Sequence, residues 1–347
     1  MNDKATIYEV ARMSGFSTAT VSRVMHDGTG FSATTRDSVL QVAAQLGWVP
    51  NHSARSLASR RAGIVGLLFP DFGEDGPGSE SALYVDQVIR GAERAATLAG
   101  DAILIAATRG HGGLELARSV VGKVDGLVVL AGSLAAKDLA AISTRVPVVL
   151  MATHTAPHGL DFVGADNRGG AAAITAHLIS AHRIKDIAFV AGPRRSPDSR
   201  ERFVGYRQAL VAAGLQAPAS PEVHGDFTES GGAEALETLL AGRRTPPRAV
   251  VFGNDEMAIG GLAVLRRHKL RVAAEVAVTG FDDIATARHV RPTLTTVRQP
   301  MRDIGETAVG TLLARLADRS APRQTTVLPT DLVLRTSCGC STRGGSK

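Results

Sequence analysis

Apolar side chains recur at helical spacing through the first fifty residues, and from residue 63 they give way to short unbroken apolar runs separated by amphipathic stretches. Two kinds of structure are therefore joined in series. In the first, Thr6 and Glu9 fit a capping box, each satisfying a free N–H at a helix start. Ile7, Val10 and Ala11 then share one face, and Gly15 supplies the positive φ of a tight helix-to-helix turn. Ser17 caps a second helix, from Thr18 to about His26, with Val21, Val24 and Met25 pointing inward. A third helix starts at the cap Ser32, runs through Val39, Leu40, Ala43 and Leu46, and ends at Gly47. Beyond Pro50, Asn51 can cap the short segment HSARSLAS, whose Ala54 and Leu57 lie at hinge-like spacing.

Past residue 63 the runs IVGLLF, AILIAA, GLVVL, VPVVLM, IAFVAG, AVVFGN and VAVTGF alternate with helical patterns. This is the arithmetic of βαβ units and predicts parallel sheets with helices on both faces. Two such series in about 280 residues predict two similar subdomains. Ligands in sheets of this kind bind at the carboxyl ends of the strands.

The exposed side of the second head helix carries Thr18, Ala19, Ser22, Arg23 and His26. Small or hydrogen-bonding groups at a helix N-terminus, followed one turn later by an arginine, suit a helix laid in the major groove, with Arg23 as a bidentate guanine reader. The same helix-turn-helix geometry also occurs in domains that bind no DNA. Charge adds to the first reading. The net charge is +6, and half of it falls within residues 1–61, which hold seven Lys/Arg against four Asp/Glu. A polyanionic partner fits there.

With 44% hydrophobic and 21% charged residues the chain groups with soluble globular proteins. The first twenty residues lack the apolar segment of a secretory signal, and no apolar run is long enough to span a bilayer. Cys338 and Cys340 are the only cysteines, so no disulfide framework is expected and a reducing cytoplasm fits.

A search for catalytic chemistry returns little. There is no GxSxG elbow, HExxH or P-loop. The loop GEDGPGSES after the first strand lacks the third glycine of a dinucleotide fingerprint, and Asp71, Glu74, Asp75 and Glu80 would repel a pyrophosphate; it reads as a rim loop. His177 and His182, five residues apart, are expected on different helix faces, and Cys338 and Cys340 are expected to lack partners for a four-ligand zinc site. Neither a cofactor nor a metal is therefore expected. Polar groups do gather where a cleft would form: Asp166, Arg202, Asn254 with Asp255, and Asp282 with Asp283. Carboxylates, an arginine and an amide can grip vicinal hydroxyls, as in sugar sites, although for Asn254, Asp255 and Asp283 helix capping explains the residue equally well.

Residues 6–70 closely resemble the LacI/GalR (lactose/galactose repressor) family of bacterial transcription regulators, through TIYEVARMSGFSTATVSRVMH, SATTR, LGWVPN and ARSL. The resemblance implies that Thr18 and Ala19 select bases and Arg23 reads a guanine. Thr6, Tyr8, Ser17, Thr20, Ser22, Thr35 and Asn51 would hold phosphates or orient the helix. Leu57, with Ala54 beside it, would wedge into the central minor-groove step and bend the duplex. His26 and Trp48 stand where the family usually has Asn and Tyr, and His26 leaves one DNA contact open.

The resemblance continues through VGADNRGG, SRERFVGYRQAL, GDFTESGG, VVFGNDEMAIG, VTGFDD and PTLTTVRQP, strings similar to the family's periplasmic-binding-protein-like effector domain. Carried over by motif, Asp166, Arg202, Asn254 and Asp282 would bind an effector, Phe227 would provide the aromatic platform, and Gln299 is a weaker candidate. The long acidic stretch after Pro70 departs from the family's short loop.

The fold class expected is an N-terminal three-helix helix-turn-helix head with a hinge helix, followed by a two-subdomain α/β effector domain. The boundaries expected are 1–50 for the head, 51–62 for the hinge and 63–337 for the effector domain, with a tail at 338–347. Within the effector domain the first subdomain takes 63–165 and 296–324, the second 166–295 and 325–337. The function expected is that of a cytoplasmic homodimeric transcription regulator, a repressor. It would bind double-stranded operator DNA under control of a small-molecule effector, a sugar, with no catalytic activity and no membrane partner. Two rivals differ in kind. A solute-binding protein would carry an export signal in place of the head, and a nucleotide-dependent enzyme would need a phosphate loop.

Overall fold

A computed structural model describes residues 5–26, 30–48, 61–70, 82–108, 113–152 and 159–340. The chain divides into two compact units, Met1–Ala62 and Gly63–Lys347. The expected hinge segment, with Asn51, Ala54 and Leu57, and the acidic loop at 71–81 lie outside the described residues.

In the first unit α1 spans Ile7–Ser14, α2 Thr18–His26 and α3 Ala33–Gln45. The expected start signals at Thr6, Ser17 and Ser32 and the turn at Gly15 operate. The Thr6 N–H donates to Glu9 Oε2 at 2.7 Å, and Gly15 takes φ +76°. Ser17 Oγ accepts from the Thr20 N–H, and Ser32 Oγ from the Thr35 N–H, each at 3.1 Å. Val10, Ala11, Val21, Val24, Val39 and Ala43 form the core, bordered by Ile7, Phe16, Phe31, Leu46 and Trp48. Leu40 does not join it, being 39% exposed. Val39, Val42, Ala43 and Leu46 are the i, i+3, i+4, i+7 set that faces inward, and Leu40 is rotated about 100° off that stripe.

The second unit runs β1 (Ile64–Pro70), α4 (Ala82–Leu98), β2 (Ala102–Thr108), α5 (Gly113–Val121), β3 (Gly126–Leu130), α6 (Ala136–Ser143), β4 (Val148–Met151) and β5 (Asp161–Ala165). There follow α7 (Asn167–His182), β6 (Ile187–Ala191), α8 (Pro197–Ala212), β7 (Val223–His224), α9 (Glu229–Ala241), β8 (Ala249–Phe252), α10 (Asp255–Arg267) and β9 (Ala277–Thr279). The chain ends with β10 (Thr296–Arg298), α11 (Met301–Ala317), β11 (Thr325–Leu328) and β12 (Asp331–Val333). All seven apolar runs form strands, as the alternation predicts.

Two parallel sheets result, ordered β11-β5-β4-β3-β1-β2 and β7-β6-β8-β9. Between them the chain crosses three times: after β5, along β10, and along β12, which pairs antiparallel with β10. One boundary differs from expectation. Residues 325–328 are expected in the second subdomain, but β11 extends the first sheet in parallel with β5, so the last crossing comes only at β12. β11 is an edge strand with alternating exposure, and so carries no apolar run that would mark it.

Both sheets are buried on two faces, which is why β1 and β3 read as continuous apolar runs. Helices α4 and α11 cover one face of the first sheet and approach so closely that a Cβ on Gly91 would lie 1.9 Å from the Arg302 carbonyl oxygen. A Cβ on Gly305 would lie 2.1 Å from that of Val88. No helix among the described residues is long and apolar enough to cross a membrane.

The return of the chain from α11 to β11 is fixed by a buried ion pair. Arg315 Nε and Nη2 each donate at 2.9 Å to one oxygen of Asp161, whose Oδ1 also accepts from the Gln324 N–H at 2.7 Å. Burial alone would raise the Asp161 pKa, but the Arg315 fork and the Gln324 amide outweigh it and hold the carboxyl below its ordinary value. Its stabilising contribution is thus present above the unfolded carboxylate pKa and is lost as pH falls through the lower folded one. Asp161→Asn leaves the guanidinium buried without its counter-charge. The expected loss is about 3–5 kcal/mol of unit stability, read from urea denaturation at neutral pH. A loss below about 1 kcal/mol, the range of an exposed pair, would reject the structural role.

Candidate nucleic-acid interface and ligand cleft

On the head, the expected DNA contacts lie on α1, at the start and along α2, and at the start of α3. Thr6, Tyr8, Ser17, Ala19 and Arg23 are exposed, Tyr8 at 74%, and Thr18, Thr20, Ser22 and Thr35 are half-buried. Ser17 and Thr20 are joined hydroxyl to hydroxyl at 2.9 Å, as are Ser32 and Thr35. This leaves two oriented hydroxyl pairs at the starts of α2 and α3, where helix dipoles favour phosphate oxygens. The Arg23 guanidinium rests 5.3 Å from the centre of the Phe31 ring, which steadies its long side chain without burying it. His26 closes α2, and its side chain lies outside the described set.

In the second unit the expected cleft residues fall into one connected group and one outlier. Arg202, from the first turns of α8, is 4% exposed. Its Nε donates to Asn167 Oδ1 at 2.8 Å and its Nη1 to the Gly253 carbonyl, while Nη1 lies 3.5 Å from Asp282 Oδ1. Its plane sits 4.0 Å from the ring centre of Phe281 and 5.8 Å from that of Phe227. Gln299 donates to Asp282 Oδ1 at 2.6 Å, bringing the second crossing into the same network. Asn254 caps α10 by accepting from the Met257 N–H at 3.1 Å, and its amide donates to the Phe227 carbonyl.

Phe227 holds φ +73° and packs its ring against Gly192, where any Cβ would lie 2.2 Å from Cε1. At 4% exposure it is part of the core and backs Arg202. Asp166 stands apart from this network, exposed and capping α7 through the Gly169 N–H at 2.8 Å. A cavity of about 510 Å³ opens beside the group, lined by Asp282 and Gln299 together with Leu83, Gln87, Arg298 and Met301. It therefore draws on both subdomains and the crossing between them. Arg202, Asn254 and Phe227 lie behind that wall. The loops following β1, β2 and β4, residues 71–81, 109–112 and 153–158, are outside the described residues.

Asp282 is the electrostatic centre. Burial pushes its carboxyl from the ordinary 3.8 up to about 7, against the pull of Arg202 and Gln299. Asp255, wholly buried, is raised well above its ordinary value, first by its own burial and then by Asp282. Asp255 accepts from Thr296 Oγ1 and from the Ile284 N–H, so it stitches α10 to β10 and is not a simple cap. Asp283 does not cap either, since its carboxylate takes Arg298 on one oxygen and Arg335 on the other.

Asn167, which orients Arg202, is a site residue beyond those expected; its one signal in the sequence is its place directly after Asp166 in GADNRGG. The cysteines also depart from expectation. Cys338 and Cys340 do have neighbours, for their sulfurs lie with the ring nitrogens of His177 and His182 within 4.8 Å of one another. Five helical residues separate two side chains by about 140°, but imidazoles at a helix end reach a shared point beyond its surface, and only the fold brings the C-terminal segment there.

Comparison with known proteins agrees with both units. The family described as bacterial regulatory proteins, lacI family, matches residues 6–51, and a periplasmic binding protein-like domain matches residues 175–338. Catabolite control protein A of Priestia megaterium is 33% identical over 337 residues, covering 96% of this chain and 98% of that protein. A crystal structure of the lac repressor dimer bound to operator and the anti-inducer ONPF superposes with a TM-score of 0.83 at 26% identity, covering 97% of this chain and 99% of that one. The transcriptional regulator CelR in complex with cellobiose gives 0.71 at 30% identity, with 96% and 99% covered.

The raised Asp282 pKa makes a signed prediction. Between pH 3.8 and about 7 the folded chain keeps a proton on Asp282 that the unfolded chain has released, so this group lowers stability as pH rises through that window. Asp255 acts in the same direction. In Asp282→Asn the fall in unfolding free energy across the window should be shallower than in the wild type, measured by urea denaturation at closely spaced pH values. Parallel curves for the two proteins would show that Asp282 does not titrate there.

Proposed function

The chain belongs to the LacI family of bacterial regulatory proteins and is a DNA-binding transcriptional regulator of the effector-controlled kind, not an enzyme, and on that premise we propose that it is a cytoplasmic homodimeric repressor of an operator, released or engaged by a sugar-like effector. The observation that carries this reading is the Arg202–Asp282–Gln299 network beside a cavity drawn from both subdomains. A carboxylate and an amide at the cavity wall, held by a buried guanidinium behind them, suit the hydroxyl pairs of a carbohydrate. The cellobiose complex of CelR supports the ligand class, and the operator complex of the lac repressor dimer supports the DNA and the dimer.

Asp282 and Gln299 would meet the ligand directly, Arg202 would fix the Asp282 carboxylate, and Asn254 and Phe227 would hold the backing. Asp166 would serve at the rim. On the head, Thr18, Ala19 and Arg23 would read bases, with His26 beside them. Thr6, Tyr8, Ser17, Thr20, Ser22, Thr35 and Asn51 would place the helix on the backbone, and Ala54 with Leu57 would form the hinge contact. Effector occupancy would alter the three crossings and through them the hinge.

Two experiments test the two halves. A panel of mono- and disaccharides is titrated into the full chain by calorimetry, and operator affinity, on a site selected from random duplexes, is measured with and without each binder. Coupling of about 1–3 kcal/mol, 5- to 150-fold in affinity, is expected for the true effector. If every sugar that binds leaves operator affinity unchanged, the regulatory reading fails. On the head, Arg23→Ala should cost about 1–3 kcal/mol and relax preference at one base pair per half-site. Leu57→Ala should reduce operator bending measured by gel phasing. Wild-type base preference and bending in these variants would reject the docking.

A further inference from the structure

His177 and His182 close α7, and the C-terminal segment passes them as a short 3-10 turn, Thr336–Cys338, followed by Gly339 and Cys340. The two imidazole Nε2 atoms are 3.2 Å apart. Cys340 Sγ lies 3.4 Å from each of them, and Cys338 Sγ lies 3.7 Å from that of His177. A tetrahedral zinc with Zn–N near 2.05 Å and Zn–S near 2.3 Å requires edges of about 3.3 Å between nitrogens and about 3.6 Å between nitrogen and sulfur. The four measured separations match those edges, which random packing of two histidines and two cysteines does not require.

The surroundings are those of a built site. Cys338 is 1% exposed, and the Thr295 hydroxyl lies 3.1 Å from its sulfur, placed to donate to a thiolate. Gly339 takes φ +103°, which turns the sulfurs of a Cys-Gly-Cys sequence toward one point, and a Cβ there would lie 3.4 Å from His182 Cε1. Among the described residues no carboxylate joins the cluster, so the donors are two thiols and two imidazoles, a borderline-soft set that favours zinc over magnesium or calcium.

We propose that His177, His182, Cys338 and Cys340 form a closed four-ligand zinc site that fastens the C-terminal segment to the end of α7. Binding Zn2+ displaces the two thiol protons to solvent, so two thiolates and two neutral imidazoles balance the charge of the ion. With four protein ligands no coordination position is left for substrate, and the site is structural. It anchors the third crossing, because β12 ends only five residues before Cys338, and the same turn is held by Ser337 Oγ donating to the Val278 carbonyl. The site lies within the second unit and is independent of the DNA-binding reading.

The test uses untagged full-length protein, purified under reducing conditions, incubated with zinc chloride and desalted. Native mass spectrometry and elemental analysis should give one zinc per chain, and Co2+ substitution should give the visible bands and near-ultraviolet thiolate charge-transfer band of a tetrahedral S2N2 site. Cys340→Ser and His182→Ala, made separately, should each cut retained zinc at least tenfold and abolish the thiolate band, with circular dichroism unchanged. The proposal is overturned if the reduced wild type retains no stoichiometric zinc and gives no tetrahedral cobalt spectrum. It is equally overturned if both folded variants keep zinc as the wild type does, which would mark adventitious binding. Should one variant fail to fold, the wild-type stoichiometry and cobalt spectrum decide alone.

Discussion

A guanidinium cannot shed its charge, and burying one obliges the surrounding fold to supply acceptors along its whole edge. Arg202 imposes that obligation on the second subdomain. Its partners come from the start of α7, the end of β8 and the turn after β9, and its faces are covered by Phe281 and Phe227. Three loops at the carboxyl ends of neighbouring elements are thereby held in one arrangement before any ligand arrives. The cost of ordering them is met by folding, and a ligand meets a preformed wall. Asp282 is the one partner that also lines the cavity, so on the proposed reading the residue that neutralises Arg202 is the one a ligand would address.

The buried carboxylates divide by what surrounds them. Asp161 meets a bidentate arginine and a backbone amide, and is held ionised as a fastening between α11 and the edge of the first sheet. Asp282 shares its arginine with Asn167 and a carbonyl, lies farther from it, and is pushed toward the protonated form. The same side chain thus stabilises one sheet at neutral pH and weakens the other. A ligand that brought donors to Asp282 would recover part of that loss, which couples affinity to the one site where the fold is under-compensated.

Much of this was legible in the chain. Capping residues Thr6, Ser17 and Ser32 and the turn at Gly15 fixed the head, because such signals are local and act through the nearest backbone amides. The seven apolar runs gave the sheets, because strands covered on both faces cannot hide their composition. Legibility ended where a partner was remote. β11 alternates at an edge and gave no run, so its sheet was misassigned. Leu40 was misplaced by one position on a stripe that Val42 fills. Phe227 could be matched to a motif, but that its ring packs on Gly192 depends on a contact thirty-five residues away. The histidines and cysteines are 156 or more residues apart in sequence, and no spacing rule joins them.

The adjacency of Asp282 and Asp283 shows how a cleft contact reaches the crossings. Both adopt positive φ, at +117° and +57°, where sterics leave an L-residue little room for backbone change. Asp282 faces Arg202 and Gln299. Asp283 holds Arg298 of β10 at 2.8 Å and also Arg335 just beyond β12, so one carboxylate clamps the second and third crossings together. The main chain continues the link, with the Asp282 N–H donating to the Val297 carbonyl at 2.7 Å. On the proposed reading, a displacement of the Asp282 side chain by a ligand would not relax in the turn alone, and the strain would pass to the two crossings that Asp283 clamps.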